Sequence, residues 1–317
     1  MKILKKLKGG SLSKTEVIIS EGRKFVRKSV SFNENREYGL VRWHSQIRKL
    51  QLLNKYLPES SVPILQMGVM EDYYFYDLPF YEKKLNCAEA LLKGESPDVM
   101  AETISILLSQ MAAIGYKPIK GSLSTYIAEE IRTPLVMALI KARDNQIQLN
   151  NSEFIVFKDA ISRSINNVDE LIEKYADVTI QESITHGNLT LENLLWDSEL
   201  KKVLMIDPYS ETYCDSIMGD VSQVFQSSEY GYEYISNLMN NNEVVIDKYP
   251  FEKIPECYDT FTKKLSEKIK KNSWYSAEYL KILKASQFIR MFPFKVIKTP
   301  RLGVAFMMLG INILDKQ

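Results

Sequence analysis

The stretch of sequence that decides the fold reads HGNLTLENLLW over residues 186–196, and VLMID follows it at residues 203–207. A polar loop enters the first of two short apolar runs, and the Asp197-Ser198 pair between them predicts a β-hairpin whose second strand ends on a carboxylate. Folding the hairpin back can bring Asn193 and Asp207 to the same end. Amide and carboxylate oxygens are hard ligands that suit Mg²⁺ and its bound phosphates. The segment therefore predicts a site for a metal and a phosphorylated ligand.

This pattern resembles the catalytic loop and metal motif of the aminoglycoside phosphotransferase and choline kinase-like family, which has the protein-kinase fold. The family pattern is HGD, four residues, Asn, and then a hydrophobic strand ending in Asp. His186, Asn193 and Asp207 match it, whereas Asn188 stands at the position of the catalytic Asp. Gly219-Asp220 matches a later family position. The resemblance implies Asn193 and Asp207 as Mg²⁺ ligands, Asn188 at the catalytic position, and His186 and Asp220 as residues that hold the catalytic loop.

The rest of the chain predicts an α+β protein. Two β-branched runs at 16–20 and 24–30 flank a Glu21-Gly22 turn and predict a hairpin. An apolar stripe predicts a helix over 36–56, and further strands are predicted over 62–68 and 73–76. Long helical patterns follow. The first begins at Ser96-Pro97, which offers a helix cap and a first-turn proline. Further helices are predicted over 124–145, 154–175, 217–240, 251–270, 275–292 and 302–315.

With the resemblance, this order predicts a bilobal protein-kinase-like fold. A small β-rich lobe over residues 1–80 would bind the nucleotide. A large, mostly helical lobe over residues 81–317 would carry the catalytic loop and the acceptor site. The implied cofactors are ATP and Mg²⁺.

Two backbone segments resemble nucleotide-binding parts of the family. The segment KGGSLSK at 8–14 resembles the short Gly-rich turn whose flexible backbone approaches phosphates, and a simple Gly-Gly turn is an equally good interpretation. Its candidate residues are Gly9, Gly10 and Ser11. The segment DLPFY at 77–81 lies between the predicted lobes and resembles the hinge whose backbone contacts adenine, which assigns Asp77 and Pro79 to nucleotide binding.

Lys28 resembles the strand lysine that holds the α- and β-phosphates. If the strand register is shifted, Arg27 or Lys24 takes its place. The following helix should supply an acidic partner for this lysine, yet it has Gln46 where related sequences commonly have Glu, and Glu37 is the nearest acidic alternative. A Lys–Gln hydrogen bond orients the lysine less strongly than a charge-assisted pair. The partner of the lysine is therefore left open between these two residues.

Asn188 raises the main question about mechanism. A carboxylate at this position accepts or orients the proton of the substrate hydroxyl, whereas an amide accepts a hydrogen bond but does not usefully take the proton. Loss of a general base typically costs about 10²–10⁴-fold in rate. Three explanations stay open: a natural pseudoenzyme, a weakly active natural kinase, and an inactivating substitution. We expect a phosphotransferase with an alcohol acceptor, and the alternative is a pseudokinase that acts as a nucleotide-binding regulatory protein.

The acceptor is expected to be a small hydroxyl compound, because Asp207-Pro208-Tyr209 lacks the DFG triplet and no APE-like segment follows. The segments at 206–208, 226–227 and 231–233 resemble phosphotransferases encoded with bacterial capsule polysaccharide genes, which implies a sugar, a polyol or a sugar-linked nucleotide. Acidic residues that are candidates to line the acceptor site, or simply to form a solvated helix face, are Glu211, Asp215, Glu229 and Glu233. Basic clusters with the same ambiguity lie at 263–264, 268–271 and 295–301.

Composition excludes several other classes. The 317 residues are enough to bury a core without disulfides, and the net charge of +1 gives no global field for nucleic acid or membranes, although a local basic patch stays possible. Three scattered cysteines and two histidines make no zinc motif and fit a reducing compartment. Neither a GxSxG nor a GxGxxG motif is present. Because the sequence also lacks a signal-peptide pattern and a membrane-spanning run, we expect a cytoplasmic protein.

Overall fold

The computed structural model describes residues 2–7, 14–31, 36–115, 118–144, 147, 149–209, 213–233 and 254–316. The described residues form two compact units. The first comprises those within 1–90, 186–189 and 193–211, and the second those within 91–185, 190–192 and 212–317. The hairpin that follows the catalytic loop is thus counted with the first unit. The lobe boundary at residue 80 stays a prediction.

The first unit is built on a five-stranded antiparallel sheet with the order β1-β2-β3-β5-β4. The strands are β1 Lys2–Leu7, β2 Lys14–Ser20, β3 Arg23–Ser31, β4 Gln66–Val69 and β5 Tyr73–Pro79. Glu21 and Gly22, with φ of 51° and 75°, make the tight β2–β3 turn that the sequence predicts. The strand predicted over 62–68 begins only at Gln66, because Pro63 has no N–H to donate to a sheet. The sequence patterns do not predict the edge strand β1, which the structure contains.

Helix α1, Arg36–Tyr56, covers one face of this sheet. Its residues Trp43, Ile47 and Leu50 follow helical spacing and are buried against Val30 and Tyr76 of the sheet. The helix spans the range that the apolar stripe predicts. Its packing fixes the sheet face that also carries Lys28, because Lys28 and Tyr76 are register partners on β3 and β5.

A second sheet of three short strands has the order β6-β7-β8. Its strands are β6 Leu85–Asn86, β7 Leu194–Asp197 and β8 Lys202–Met205. The predicted hairpin is confirmed, with Leu194 opposite Met205. Met205 also donates its N–H to the carbonyl of Ser60 at 2.8 Å. Two chain segments therefore hold the strand end from which Asp207 follows.

The second unit is helical. Its helices, with α2 at the junction of the two units, are α2 Cys87–Leu92, α3 Pro97–Ala113, α4 Ser122–Ile127, α5 Thr133–Arg143, α6 Asn151–Tyr175, α7 Ile217–Ser228, α8 Glu256–Ile269, α9 Ala277–Ile289, α10 Phe292–Lys298 and α11 Pro300–Asp315. The predicted cap is present, since the side chain of Ser96 accepts the N–H of Val99 at 3.4 Å. A capping box of Asn150 and Glu153 begins α6.

Two predicted helices differ from those observed. The range 124–145 is divided by a π-helical turn at Ala128–Arg132, directly before Pro134, whose ring and missing N–H interrupt the regular ladder. The helix predicted over 217–240 ends at Ser228, shortly before Gly231 with φ of 61°. Residues 234–253 lie outside the described part of the chain, as does the start of the helix predicted over 251–270.

The core of the helical unit forms where α9 packs against α7 and α11, and where α3 packs against α8. The rings of Phe288 and Phe306 lie 5.7 Å apart at the α9–α11 contact. The apolar run at 304–314 belongs to α11 and is almost entirely buried in this packing. Among the described residues, no helix has the length and apolar character needed to span a bilayer.

Candidate active site

His186 lies at the start of the catalytic loop and is fully buried. Its Nε2 is 2.9 Å from the carbonyl oxygen of Ile206, and its Nδ1 accepts the N–H of Asn188 at 3.3 Å. These partners define a neutral ring with the proton on Nε2. Burial lowers the pKa of His186 to about 4 despite the nearby charge of Asp207. The residue therefore joins the loop to the end of β8 and is uncharged at neutral pH.

Gly187 is required by a close approach of two backbones. Its φ is 78°, and a Cβ there would lie 2.1 Å from the carbonyl oxygen of Tyr209. The N–H of Tyr209 donates to the carbonyl of His186 at 2.9 Å across the same contact. Asp207 also has a positive φ, 56°, in the left-handed region that Asp tolerates better than most residues. The loop and the residues after β8 are thus held together through their backbones.

The two asparagines of the motif lie in one hydrogen-bonded group. Asn193 donates from Nδ2 to the carbonyl oxygen of Asn188 at 2.8 Å. Asn188 in turn directs Nδ2 at the carbonyl oxygen of Asp207, at 3.5 Å. An amide that donates through nitrogen keeps its oxygen as a metal ligand or hydrogen-bond acceptor. The structure therefore brings Asn188, Asn193 and Asp207 together, as the hairpin predicts.

Two side chains of the sheet and α1 converge on Asp207. Lys28 Nζ forms an ion pair with Asp207 Oδ1, and Gln46 Nε2 donates to the same oxygen at 2.9 Å. Tyr76 holds the Gln46 amide by donating its hydroxyl to Oε1 at 3.2 Å. Burial alone would raise the pKa of the Asp207 carboxyl, but the charges of Lys28 and Arg42 outweigh it and leave that pKa below its ordinary value.

In the structure it is Lys28 that contacts Asp207, and its ion-pair partner is Asp207 rather than Gln46 or Glu37. Its role in phosphate binding stays a prediction. The alternatives Lys24 and Arg27 lie elsewhere, because Lys24 pairs with Glu82 and Arg27 pairs with Asp77. Gln46 donates to Asp207, which is itself the ion-pair partner of Lys28. The other candidate partner, Glu37, is exposed.

Two basic residues of α1 influence the charged groups of this site, and no motif of the sequence identifies them. The guanidinium of Arg42 lies 5.7 Å from the ring centroid of Tyr209, and its charge helps to lower the pKa of Asp207. Lys49 is buried, and its charge lowers the pKa of His186. Arg42, Gln46 and Lys49 follow i, i+4, i+7 spacing. That pattern of polar residues beside the apolar stripe of α1 is the signal that could have identified them.

Asp77 makes a different contribution from the one expected of a hinge residue. Arg27 donates from Nε and Nη2 to its two carboxylate oxygens, each at 2.8 Å, and Gln66 donates to one of them. The Arg27 guanidinium also stacks 4.0 Å from the Phe75 ring centroid. The Asp77 carbonyl accepts the N–H of Leu65 at 2.8 Å. Both the side chain and the carbonyl of Asp77 are thus engaged within the sheet.

The remaining nucleotide-binding assignments stay predictions. Pro79 ends β5 opposite Phe25 and has no N–H of its own. Gly9, Gly10 and Ser11 lie outside the described residues.

Residues 190–192 of the loop are counted with the helical unit and contact other residues of that unit. The N–H of Leu191 donates to Ser227 Oγ at 2.9 Å, and Ser227 Oγ contacts Glu233 Oε1 at 2.5 Å. Burial raises the pKa of the Glu233 carboxyl to about 7, and the charge of Glu192 adds to the effect. Asp220 lies buried in the first turn of α7. Its predicted role in holding the loop stays a prediction.

Three of the four acidic acceptor-site candidates have partners within the helical unit. Glu233 contacts Ser227, Glu229 pairs with Lys284 at 2.8 Å, and Asp215 accepts the hydroxyl of Thr185 at 2.5 Å. The fourth, Glu211, lies outside the described residues.

The residues present suit a metal that is bound together with a nucleotide. Within the described part of the chain, no group of three or more His, Cys, Asp or Glu side chains could hold a metal ion. Asp207 pairs with the ammonium of Lys28, and the Asn193 amide bonds the carbonyl of Asn188, whose side chain is directed at the Asp207 carbonyl. Mg²⁺ is commonly held by one or two protein oxygens together with phosphate oxygens and water. The donor set therefore fits Mg²⁺ with a polyphosphate.

No family model matches the chain, and no curated protein matches it. Among solved structures, it is similar to a glucosamine kinase in complex with glucosamine, ADP and inorganic phosphate. That match has a TM-score of 0.56 and 10% identity, and it covers 99% of this chain and 93% of the other. A protein described as a candidate fructosamine-3-kinase from Haemophilus somnus 129PT gives a TM-score of 0.57 and 17% identity, covering 98% of this chain and 90% of the other.

At this level of identity the likeness shows the fold. The chain has the α+β protein-kinase-like fold of the phosphotransferases, with a small antiparallel sheet followed by a helical region. The predicted fold class is confirmed.

Proposed function

We propose that this protein is an ATP-dependent phosphotransferase that acts on a hydroxyl group of a sugar, a polyol or a related small metabolite. The observation that carries the proposal is the convergence of Lys28 and Gln46 on one oxygen of Asp207, beside Asn193 and Asn188. A cation, a hard carboxylate and an amide oxygen are the groups that phosphoryl transfer needs for positioning and charge neutralisation. The two similar structures, a glucosamine kinase and a candidate fructosamine-3-kinase, support the class of acceptor.

Each residue of the site has a separate task in this proposal. Lys28 binds the α- and β-phosphates, and Arg42 adds positive charge on the same side of Asp207. Asp207 and Asn193 hold Mg²⁺, which when bound neutralises charge on the transferred phosphoryl group. His186 and Gly187 fix the distance between the loop and the residues after β8. Asp77 and Pro79 would border the adenine, and Asp220 would stiffen the loop from α7.

Asn188 limits the proposed activity. Its amide oxygen can accept a hydrogen bond from an acceptor hydroxyl and orient it, but it takes no proton. We therefore expect slow transfer by the chain as written, with substrates bound normally. The alternative function, a nucleotide-binding regulatory pseudokinase, rests on the same residue. The link to polysaccharide synthesis stays a prediction from sequence resemblance.

The test begins with binding. Calorimetry with ATP and with a non-hydrolysable analogue, each with and without Mg²⁺, should show Mg²⁺-dependent binding. Asp207→Ala should remove the Mg²⁺-dependent part. The exposed Glu199→Gln variant changes one carboxylate far from the motif and serves as the control. Failure of ATP, GTP and ADP to bind at millimolar concentration would contradict nucleotide binding altogether.

The second step tests catalysis with Asn188→Asp against a panel of amino sugars, glycated amines and polyols. Restoring the carboxylate should raise phosphoryl transfer by about 10²-fold or more. An inert Asn188→Asp variant that still binds nucleotide, together with a nucleotide-dependent protein partner of the unchanged chain, would favour the regulatory alternative. Turnover by the unchanged chain at ordinary kinase rates, on the order of 1–100 s⁻¹, would mean that another base acts, with Glu192 the nearest carboxylate in the loop sequence.

A further inference from the structure

The amide of Gln46 is held by hydrogen bonds at both of its ends. Its Nε2 donates to Asp207 Oδ1 at 2.9 Å and lies 3.4 Å from the carbonyl oxygen of Pro208. Its Oε1 accepts the hydroxyl of Tyr76 at 3.2 Å. Burial raises the pKa of Tyr76 well above its ordinary value, so the hydroxyl keeps its proton and donates. Because Tyr76 donates to one end and Asp207 accepts from the other, these contacts fix which way the amide points.

A carboxylate at position 46 is incompatible with these contacts. An oxygen in place of Nε2 would stand 2.9 Å from Oδ1 of Asp207 and 3.4 Å from the Pro208 carbonyl oxygen, with no proton to donate to either. Gln46 is 4% exposed, and like charges at such a distance repel strongly where water is excluded. The neutral amide therefore orients the Asp207 carboxylate without adding a second negative charge.

The cations around the Asp207 carboxylate outnumber it. Lys28, which is 7% exposed, forms an ion pair with Asp207, and the charge of Arg42 acts on the same carboxyl and lowers its pKa further. His186 is uncharged at neutral pH. Within the described part of the chain, Asp207 belongs to no group of three or more His, Cys, Asp or Glu side chains that could hold a metal ion. A surplus of positive charge attracts a polyphosphate and opposes the binding of a bare divalent cation.

We propose that Gln46 keeps this site net positive, so that the site binds the polyphosphate of a nucleotide in the absence of Mg²⁺ and does not bind Mg²⁺ alone. Gln46 acts through Asp207, so it is a positioning and specificity-determining residue. The inference rests on the proposed phosphotransferase function, because it concerns the ligand of the same site, and it adds the order in which the ligands bind. A carboxylate at position 46 would neutralise the surplus charge and remove this preference.

The experiment is calorimetry at pH 8 with tripolyphosphate and with ATP, each in EDTA and in excess Mg²⁺, and with MgCl₂ alone. The unchanged chain should bind both polyphosphates in EDTA and show no saturable binding of MgCl₂ alone at millimolar concentration. Gln46→Glu should weaken binding in EDTA by about tenfold or more. Binding in Mg²⁺ should weaken by a smaller factor, since the charge of the metal offsets the added carboxylate.

Gln51→Glu is the matched control, because it makes the same substitution at an exposed position of the same helix. Its affinities should stay within about twofold of those of the unchanged chain, since solvent and salt screen an exposed charge. Arg42→Gln is an independent test that removes one cation and leaves the contacts of Gln46 in place. It should also weaken binding in EDTA by about tenfold. Thermal unfolding of each variant would show that it is folded.

Three results would overturn this inference and leave the proposed function standing. They are saturable binding of MgCl₂ alone by the unchanged chain, binding of ATP in Mg²⁺ but not in EDTA, and equal changes in affinity in the two buffers for Gln46→Glu, including no change in either. Failure of the unchanged chain to bind tripolyphosphate or ATP in both buffers would contradict the proposed function as well.

Discussion

Glu233 offers the most direct quantitative test of the contacts around the catalytic loop. Its carboxyl is buried against Ser227, the residue that accepts the N–H of Leu191. Burial, with a smaller effect from Glu192, raises its pKa from an ordinary 4.5 to about 7. At about 1.36 kcal/mol per pKa unit, the difference corresponds to about 3 kcal/mol of linkage between protonation and folding.

The sign follows from the raised pKa of an acid. Below about pH 4.5 the group is protonated in both states, and its full contribution to stability is present. As the pH rises towards about 7, the unfolded chain releases the proton first, so the free energy of unfolding falls. Glu233→Gln removes this titration. The free energy of unfolding of the variant minus that of the parent should therefore increase by about 3 kcal/mol between pH 4.5 and pH 8.

Urea unfolding of the parent and the variant at several pH values in this range measures the difference directly. Replacing the carboxyl by an amide also alters the hydrogen bond to Ser227. That effect on the free energy of unfolding is the same at every pH, so it leaves the pH dependence of the difference unchanged. Glu199→Gln, at an exposed site, controls for the loss of one carboxylate. Parallel curves for parent and Glu233→Gln, differing by less than about 1 kcal/mol across the range, would refute the burial argument.

Three further substitutions test other contacts of the first unit. Asp77→Ala leaves the Arg27 guanidinium buried without its partner and should lower the free energy of unfolding by about 3–5 kcal/mol, which urea titration measures; a loss below about 1 kcal/mol would contradict the role of the pair. Gly187→Ala should lower the free energy of unfolding by about 1–3 kcal/mol because of the positive φ alone, and by more because the new Cβ would lie 2.1 Å from a backbone oxygen. An unchanged melting temperature would contradict that close contact. Gln46→Ala removes one donor from Asp207 and should weaken Mg²⁺-dependent ATP binding in calorimetry by about tenfold, leaving binding without Mg²⁺ unchanged; equal losses in both would show a purely structural effect.

Local sequence signals were sufficient for the elements that carry the site. The hairpin was predictable because two apolar runs flank a turn pair, and α1 was predictable because Trp43, Ile47 and Leu50 repeat at helical spacing. The same signals do not show where a helix is interrupted or where an edge strand lies. The range 124–145 has continuous helical periodicity, but Pro134 and the π-helical turn before it divide the helix. Strand β1 was not predicted, because three of its six residues are lysines, as is typical of an exposed edge strand, and they obscure the alternation of apolar and polar residues.

Contacts between residues far apart in the sequence could not be predicted from the sequence. Arg27 meets Asp77 only because β3 pairs with β5 in one register, and neither strand order nor register follows from a single chain. In the same way, the family resemblance leaves the partner of Lys28 open between Gln46 and Glu37. The structure places Lys28 and Gln46 on Asp207, which lies 161 residues after Gln46. Which of these side chains touch is decided by tertiary packing.

The contacts around Asn188 bear on why a site without a base can retain its shape. The loop is held by groups other than the side chain at this position: His186 bonds the carbonyl of Ile206, Gly187 allows close backbone contact, and Asn193 bonds the Asn188 carbonyl. The Asn188 Nδ2 lies 3.5 Å from the Asp207 carbonyl oxygen, at the limit of a hydrogen bond. A carboxylate at position 188 has nearly the same shape, and the contacts of His186, Gly187 and Asn193 do not use that side chain. The shape of the loop is therefore independent of a base at this position, and under the proposed function Asn188→Asp should change phosphoryl transfer without changing nucleotide binding.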